Sequence, residues 1–145
     1  MRITSMVFEN EEHIPSTYSC DGANLNPPLV FIDVPKTAQS LALIMYDPDA
    51  LAGSWTHWTV WNIKPETKEI MENSVPQGAV EGITNFGKTG YGGPCPPEGR
   101  HRYIFRLYAL DQMLNLSPST DRMALENAMK GHVLEWNELT GIYER

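Results

Sequence analysis

A segment rich in glycine and proline runs directly into an apolar stretch between residues 85 and 110, NFGKTGYGGPCPPEGRHRYIFRLYAL. Glycine permits backbone angles that other residues avoid and proline fixes one of them, so such a loop holds a defined shape. Residues 102–110 are apolar on both faces apart from Arg102 and Arg106, which predicts a buried β-strand. His101 stands where the loop meets this strand. The loop could turn several N–H groups into one anion-binding concavity, although a plain surface turn has the same composition.

Two further segments predict strands that end beside this loop. Residues 40–46, SLALIMY, form a short apolar run typical of a strand covered on both faces. Residues 57–63, HWTVWNI, are rich in aromatic and β-branched residues. Alternation along the second strand assigns its side chains to two faces, with His57, Thr59, Trp61 and Ile63 on one and Trp58, Val60 and Asn62 on the other. The short connection between the two strands predicts antiparallel neighbours, which places Asp47 near His57.

Weaker patterns fill the rest of the chain. Strands are predicted over residues 2–8 and 29–33, around 78–80, and over the closing LTGIYE. Met123, Leu125, Ala128 and Met129 recur near helical spacing after the capping residues 117–120, which predicts one helix of about ten residues ending at Gly131. A further helical turn or two is predicted around 132–136. The sequence therefore predicts a single mainly β domain over 1–145, with one or two short helices near its C-terminus.

Charge and composition restrict the partners. The chain of 145 residues has a formal net charge of −7 and a pI near 5.0. Nucleic acids and anionic membranes bind clustered Lys and Arg, which the sequence lacks, so we expect neither nucleic-acid binding nor stable membrane insertion. The N-terminal residues MRITSMVFENEEHIPS contain no apolar run, and we expect a cytoplasmic protein. Cys20 and Cys95 are then expected to be free, although the sequence leaves open that they lie close together.

Polar residues suited to ligand binding gather at the predicted strand ends. Asp47, Asp49, His57 and His101 are predicted to line one pocket, floored by the backbone of residues 90–93. Imidazoles donate hydrogen bonds, backbone N–H groups add partial positive charge, and a carboxylate fixes the tautomer of a histidine. Apolar walls are expected from Trp55, Tyr91, Pro94 and Pro96. The pattern therefore predicts a small anion as ligand.

Other interpretations of the same residues remain open. The Asp-Pro-Asp stretch is also a good turn initiator, and a lone histidine at a strand end often makes only ordinary hydrogen bonds. Two Asp and two His could hold a divalent metal, although no closely spaced ligand pair is present. Cys95 near His101 could be a nucleophile, but its flanking prolines favour a packing role. His13 and His132 are assigned to a turn and to a helix end. No metal and no cofactor is predicted.

Three motifs in order carry a family resemblance: DPDA at 47–50, HWTVWN at 57–62 and GYGGPCPPEGRHRY at 90–103. Together they resemble the phosphatidylethanolamine-binding protein family, in particular its bacterial and archaeal branch of Raf-kinase-inhibitor-like proteins. CDGANLNPPL at 20–29 and MKGHVLEWNELTGIYER at 129–145 are similar to the same branch, so the resemblance spans nearly the whole chain. It implies a β-sandwich of two antiparallel sheets with a small helical element near the C-terminus. The chain departs from the family at Leu51, where proline is usual.

The resemblance also implies a ligand-binding set at one rim of the sandwich. The residues implied are Asp47, Asp49, His57, Gly93, His101 and Tyr103, to which the pocket predicted above adds Tyr91, Gly92 and Pro94. In the family this pocket takes phosphate, phosphoethanolamine-like headgroups, acetate or similar small anions. Arg102 is expected to pair with a carboxylate behind the site, and Asp49 to brace the loop instead of touching ligand.

These expectations support three functions. The first is a small-anion or phosphorylated-ligand binding protein without catalysis, acting as a sensor or regulator. The second is an inhibitor of a protein kinase or serine protease, which would insert the loops around 48–56 and 90–99 into its partner. Because the chain lacks the extensions of eukaryotic members, such a role does not transfer with the fold. A hydrolase or metal-dependent enzyme is the least favoured. Exposed aromatic residues such as Trp55 and Trp136 leave a homodimer open.

Overall fold

Two β-sheets face each other in the computed structural model, which describes all 145 residues. The strands are β1 (Arg2–Thr4), β2 (Glu12–His13), β3 (Leu29–Ile32), β4 (Ser40–Asp47), β5 (Trp55–Ile63), β6 (Glu69–Ile70), β7 (Val80–Glu81), β8 (Arg100–Leu110) and β9 (Val133–Glu144). One sheet has the order β1-β3-β6 and the other the order β2-β9-β8-β4-β5-β7. All pairs are antiparallel except the short pairing of β2 with β9. The predicted mainly β sandwich is confirmed.

Helical structure is sparse. The α-helix α1 spans Arg122–Met129, and a single 3₁₀ turn covers Ser16–Tyr18. The Asp121 side chain caps α1 by accepting a hydrogen bond from the Ala124 N–H at 2.9 Å. No helix is long and apolar enough to cross a membrane. The one helix that the sequence predicts before Gly131 is confirmed as α1.

The predicted extra helical turn around 132–136 is wrong. Gly131 adopts a positive φ of 80°, which ends the helical path, and β9 begins two residues later. From there β9 pairs with β8 along its whole length, from Val133 opposite Leu110 to Glu144 opposite Arg100. This long-range pairing outweighs the local preference of a short apolar segment. The predicted strand LTGIYE is the C-terminal half of β9.

The central strand β4 is buried on both faces, as its sequence predicted. Leu41, Leu43 and Met45 belong to the core between the two sheets, which also contains side chains of β1, β3 and β6. Ala42 and Ile44 point the other way, into a second core that α1 covers with Leu125 and Met129. Both neighbours of β4, namely β5 and β8, run antiparallel to it.

A bulge in β5 changes the predicted assignment of one side chain. Leu41 pairs with Ile63 whereas Leu43 pairs with Val60, so two steps along β4 oppose three steps along β5. Asn62 takes up the extra residue with a positive φ of 55°, and its side chain bonds both backbone groups of Leu114 at 2.7 and 2.8 Å. The alternation therefore resets after the bulge. Ile63 packs in the core between the sheets, and its predicted place beside Trp61 is wrong.

Cys20 and Cys95 form a disulfide, so the expectation of two free thiols is wrong. Two hydrogen bonds join the same loops: the Cys20 N–H donates to the Pro94 carbonyl at 3.1 Å, and the Gly93 N–H to Asn24 Oδ1 at 2.8 Å. Gly93 lies so close to the Tyr18 carbonyl that a Cβ would overlap it. The absence of a side chain at Gly93 lets the two loops approach closely enough for the cysteines to bond.

We predict that the substitutions Cys20→Ser and Cys95→Ser together lower the free energy of unfolding by about 4 kcal/mol, because the bond closes a long loop in the unfolded chain. The two cysteines are 75 residues apart. Urea titration of the oxidised protein, the same protein with a reductant, and the double variant measures this effect. The last two should agree with each other, and a midpoint unchanged from the oxidised protein would contradict the prediction.

Candidate functional site

A cavity of about 280 Å³ opens at one rim of the large sheet. Because β4 is antiparallel to both β5 and β8, the end of β4 and the starts of its two neighbours meet at this rim. The cavity is lined by Asp47, Ala50, Leu51, Ala52, Trp55, His57, Phe86, Cys95, Pro96, Pro97, His101 and Tyr103. Most of this lining is apolar, and the polar groups come from the strand ends.

His101 and Asp47 form a buried pair at the cavity. His101 Nδ1 lies 2.6 Å from Asp47 Oδ2, and both residues are buried. An ionised carboxylate only accepts hydrogen bonds, so Nδ1 carries the hydrogen and Nε2 is the ring atom left for a ligand. The other oxygen, Asp47 Oδ1, accepts the Asp49 N–H at 2.7 Å. Asp47 thereby fixes both the tautomer and the orientation of His101.

His57 is held by the glycine-rich loop. Its Nδ1 donates to the Gly92 carbonyl at 2.7 Å, while the Gly92 N–H donates to the His57 carbonyl at 3.0 Å. The ring packs edge-on against Phe86 and Tyr103, each with 5.2 Å between ring centroids. Burial lowers the pKa of His57, although the Gly92 carbonyl and the charge of Asp47 oppose this shift. At neutral pH the imidazole is therefore neutral, with the lone pair on Nε2.

Tyr103 lies between the two histidines and is fully buried. Its ring stacks on that of His101 with 6.5 Å between centroids. Its buried hydroxyl makes no well-formed hydrogen bond within the protein, although the Asp47 carboxylate and the Cys95 backbone lie close to it. Burial raises the pKa of Tyr103, and the nearby Asp47 charge raises it further, so the hydroxyl keeps its proton. A buried hydroxyl whose hydrogen bonds within the protein are poorly formed can still donate to a molecule in the cavity.

Asp49 lies outside the cavity and pairs with Arg102. The Arg102 Nε and Nη2 atoms donate to its two carboxylate oxygens at 3.0 and 2.9 Å, and the Arg102 N–H donates to Oδ2 at 3.0 Å. The guanidinium holds the pKa of Asp49 below its usual value. Asp49 therefore braces the loop that follows β4 against β8 and pairs with the charge of Arg102.

Gly92 and Gly93, whose N–H groups were predicted to belong to an anion-binding nest, use those groups within the protein. The Gly92 N–H bonds the His57 carbonyl, and the Gly93 N–H bonds Asn24 Oδ1. Neither glycine lines the cavity. A Cβ on Gly92 would overlap the Phe86 ring, so this glycine serves close packing behind the site.

Tyr91 and Pro94, expected as apolar walls, also lie behind the cavity. The Tyr91 hydroxyl donates to the Tyr18 carbonyl at 2.7 Å, and its ring packs edge-on against Trp58. The Pro94 carbonyl accepts the Cys20 N–H. Of the predicted set, the cavity thus brings together Asp47, His57, His101 and Tyr103, and it leaves Asp49, Tyr91, Gly92, Gly93 and Pro94 in supporting positions.

Sequence reasoning missed several wall residues, of which Phe86 is the most important. Its ring packs edge-on against both Trp55 and His57, and a hydrogen bond from its N–H to Thr84 Oγ1 at 3.2 Å orients the turn. Phe86 stands alone in a polar turn with no periodicity, so only the presence of an aromatic residue in that turn could have marked it. Leu51 is 96% exposed at the mouth of the cavity.

No group of three or more His, Cys, Asp or Glu side chains has an arrangement that could hold a metal ion. Asp47 is the one carboxylate in the lining, and it faces two imidazoles and a tyrosine hydroxyl. The arrangement therefore offers hydrogen-bonding atoms to a small ligand inside mostly apolar walls.

A model of the phosphatidylethanolamine-binding protein family matches residues 4–144. A UPF0098 protein of Methanothermobacter thermautotrophicus is 47% identical, with 100% of this chain and 99% of the relative covered. The crystal structure of the family homologue CT736 of Chlamydia trachomatis superposes with a TM-score of 0.96 at 41% identity, covering 99% of this chain and 97% of that one. Escherichia coli YbcL, described as a member of the mammalian family, gives a TM-score of 0.93 at 29% identity and covers 99% and 98%.

We predict that His57 makes the protein less stable in mild acid. Its pKa in the folded state lies below the unfolded value of about 6.5, so the unfolded chain binds more protons as the pH falls below that value. The stability that the neutral ring contributes is present above about pH 6.5 and is lost progressively below it. Thermal unfolding between pH 7.5 and 5.5 should show a falling melting temperature.

The variant His57→Asn, which keeps a side-chain donor for the Gly92 carbonyl, should show a shallower decline over the same pH range. His13→Asn is the matched control, because His13 is exposed and should leave the slope unchanged. Equal slopes for His57→Asn and the wild type would contradict this role of His57.

Proposed function

The chain belongs to the phosphatidylethanolamine-binding protein family, and from this membership and the cavity we propose that it binds a small phosphate-bearing anion as a non-catalytic sensor or regulator. The observation that carries the proposal is the set of three polar side chains at the cavity, His57, His101 and Tyr103, of which the Tyr103 hydroxyl makes no well-formed hydrogen bond within the protein.

Charge and protonation favour a phosphate that keeps one proton. His101 is bonded to Asp47 through Nδ1 and offers Nε2 to the ligand, and Tyr103 donates from its hydroxyl. His57 is neutral with Nδ1 protonated, so its Nε2 accepts a hydrogen bond. A P–OH group supplies the donor that His57 needs, while the remaining phosphate oxygens accept hydrogen bonds, one of them from Tyr103.

The walls favour an organic phosphate over the bare ion. The cavity of about 280 Å³ is larger than a phosphate group, and Trp55, Phe86 and Pro96 present apolar surface above the polar floor. A phosphoethanolamine-like headgroup or another short organic phosphate fits this division, with the phosphate on the floor and the carbon chain against the walls.

A second function is favoured by the exposed mouth of the cavity. Leu51 projects into solvent and Phe86 is 41% exposed, so the rim presents apolar side chains that a protein partner could cover. We propose inhibition of a protein kinase or serine protease through these loops as the alternative. Partner binding that survives His101→Ala but is lost in Leu51→Asp would favour it over anion binding.

We predict that phosphate and phosphoethanolamine shift the imidazole NMR signals of His57 and His101 in a saturable manner. His101→Ala should weaken phosphate binding by about 10-fold to 150-fold, the loss of one hydrogen bond to a charged group. Asp47→Asn should also weaken it, because the tautomer of His101 is then no longer fixed.

The chain offers a matched control in a second histidine–aspartate pair. His132 Nδ1 lies 2.9 Å from Asp111 Oδ1, and neither residue lines the cavity. His132→Ala and Asp111→Asn should leave phosphate affinity unchanged. Equal affinity of His101→Ala and the wild type would remove the support for this binding mode.

We predict that phosphate binding weakens as the pH rises from 6 to 8. Phosphate monoesters lose their second proton near pH 6, and the fully ionised group has no donor for His57 Nε2. Isothermal titration calorimetry in buffers of different ionisation enthalpy should show proton uptake above that pH. Sulfate, which carries no proton in this range, is the matched probe and should bind more weakly than phosphate at pH 6. Equal binding of the two ions at pH 6 would contradict this protonation state.

A further inference from the structure

The disulfide forms part of the cavity wall. Cys95, Pro96 and Pro97 are consecutive lining residues, and Cys95 is the half of the disulfide that faces the cavity. Cys20 and Cys95 are both exposed, so the bond is accessible from solvent. The link that holds this wall is therefore open to reagents that the buried floor of the cavity excludes.

The prolines of this wall are held at two points. Before them, the disulfide anchors Cys95 to Cys20, and the Cys20 N–H bonds the Pro94 carbonyl at 3.1 Å. After them, the Gly99 N–H donates to the Arg145 carbonyl at 2.8 Å, and the Arg145 N–H to the Gly99 carbonyl at 3.2 Å. Proline has no N–H, so Pro96 and Pro97 cannot add backbone bonds of their own as donors. Without the disulfide, the wall keeps backbone hydrogen bonds on both sides of the prolines but loses its only covalent anchor.

Arg145 also lies beside the sulfur. Its Nη1 is 3.8 Å from Cys95 Sγ, and its Nη2 donates to Asp21 Oδ1 at 2.7 Å, which holds the guanidinium in place. A fixed positive charge at this distance stabilises negative charge on Cys95 Sγ. Cys95 is thus the better leaving group of the pair, because Arg145 would stabilise its thiolate.

We propose that the Cys20–Cys95 disulfide is a redox-exchangeable site that controls the anion cavity and takes a dithiol as its reductant. The bond keeps the Cys95–Pro97 wall closed on the ligand when oxidised, and reduction releases the wall. This inference rests on the proposed anion binding for its functional consequence.

Reduction of the bond proceeds by two successive thiol–disulfide exchanges. A thiolate of the dithiol attacks Cys20 Sγ, which forms a mixed disulfide and breaks the Cys20–Cys95 bond, and the electron pair leaves on Cys95 Sγ beside Arg145. The second thiol of the reductant, once deprotonated, attacks the reductant's first sulfur in the mixed disulfide. This closes a disulfide within the reductant and expels Cys20 Sγ as a thiolate. The dithiol becomes a disulfide, and the protein gains two electrons and two protons as two thiols.

Reduction should act on affinity through the preorganisation of the wall. The floor groups Asp47, His57 and His101 are held by hydrogen bonds that do not involve the cysteines. A released wall adds an ordering cost to binding without removing a donor. Reduced protein should therefore bind the same anions at the same floor, but more weakly.

The test is a phosphate titration of oxidised protein and of protein reduced with excess dithiothreitol at 25 °C. We expect affinity to fall by about tenfold on reduction, since a loop must then be ordered at each binding event. Cys20→Ser/Cys95→Ser should match the reduced protein with or without dithiothreitol, which controls for the reagent itself. Equal affinity in the two redox states would overturn the proposal, and so would a reduced protein that has lost its near-ultraviolet circular dichroism.

Hydrogen exchange separates failure of this proposal from failure of anion binding. Amides of Cys95 and Glu98 should exchange faster after reduction even if phosphate does not bind, and unchanged exchange would overturn the control of the wall. Arg145→Gln should slow reduction by dithiothreitol several-fold while oxidised protein keeps its phosphate affinity. Arg100→Gln is the matched charge control and should reduce at the wild-type rate, whereas equal rates for Arg145→Gln and the wild type would overturn the role of Arg145.

Discussion

The antiparallel pairing of β4 with both of its neighbours is the constraint on which the site depends. Since β5 and β8 both run against β4, the residue that ends β4 lies beside the residues that begin the other two strands. Asp47, His57 and His101 meet for this reason, although 54 residues separate the first from the last. The apolar residues of β4, buried on both faces, fix its register and so fix the position of Asp47.

Asp47 then organises the polar floor. A buried carboxylate is costly unless its oxygens accept hydrogen bonds, and here one accepts from His101 and the other from the Asp49 N–H. The same contacts that satisfy the carboxylate orient His101 and anchor the following loop. A negatively charged chain can in this way present hydrogen-bond donors to an anion, because its one lining carboxylate is already engaged.

The sequence was sufficient to predict the features that depend on local pattern. Apolar and aromatic runs predicted the strands β4, β5 and β8. The polar residues at the ends of those runs, Asp47, His57 and His101, were predicted to lie in one pocket. Three other features depend on contacts between distant segments, which sequence periodicity does not encode. They are the bulge at Asn62, the pairing of Val133 with Leu110 and the Cys20–Cys95 bond. Phe86 was missed because its position in the wall depends on where a polar turn folds back.

The glycine-rich loop serves packing more than ligand recognition, and this changes how the site must work. Gly92 and Gly93 engage their N–H groups within the protein, and their missing side chains make room for Phe86 and for the loop that carries Cys20. Backbone N–H groups do not titrate, so a site built on them would bind an anion with an affinity that changes little with pH. Here the hydrogen-bonding groups at the cavity are two imidazoles and a hydroxyl, so the anion binding that we propose should depend on pH. The loop contributes instead a wall that one exposed disulfide ties to the segment carrying Cys20.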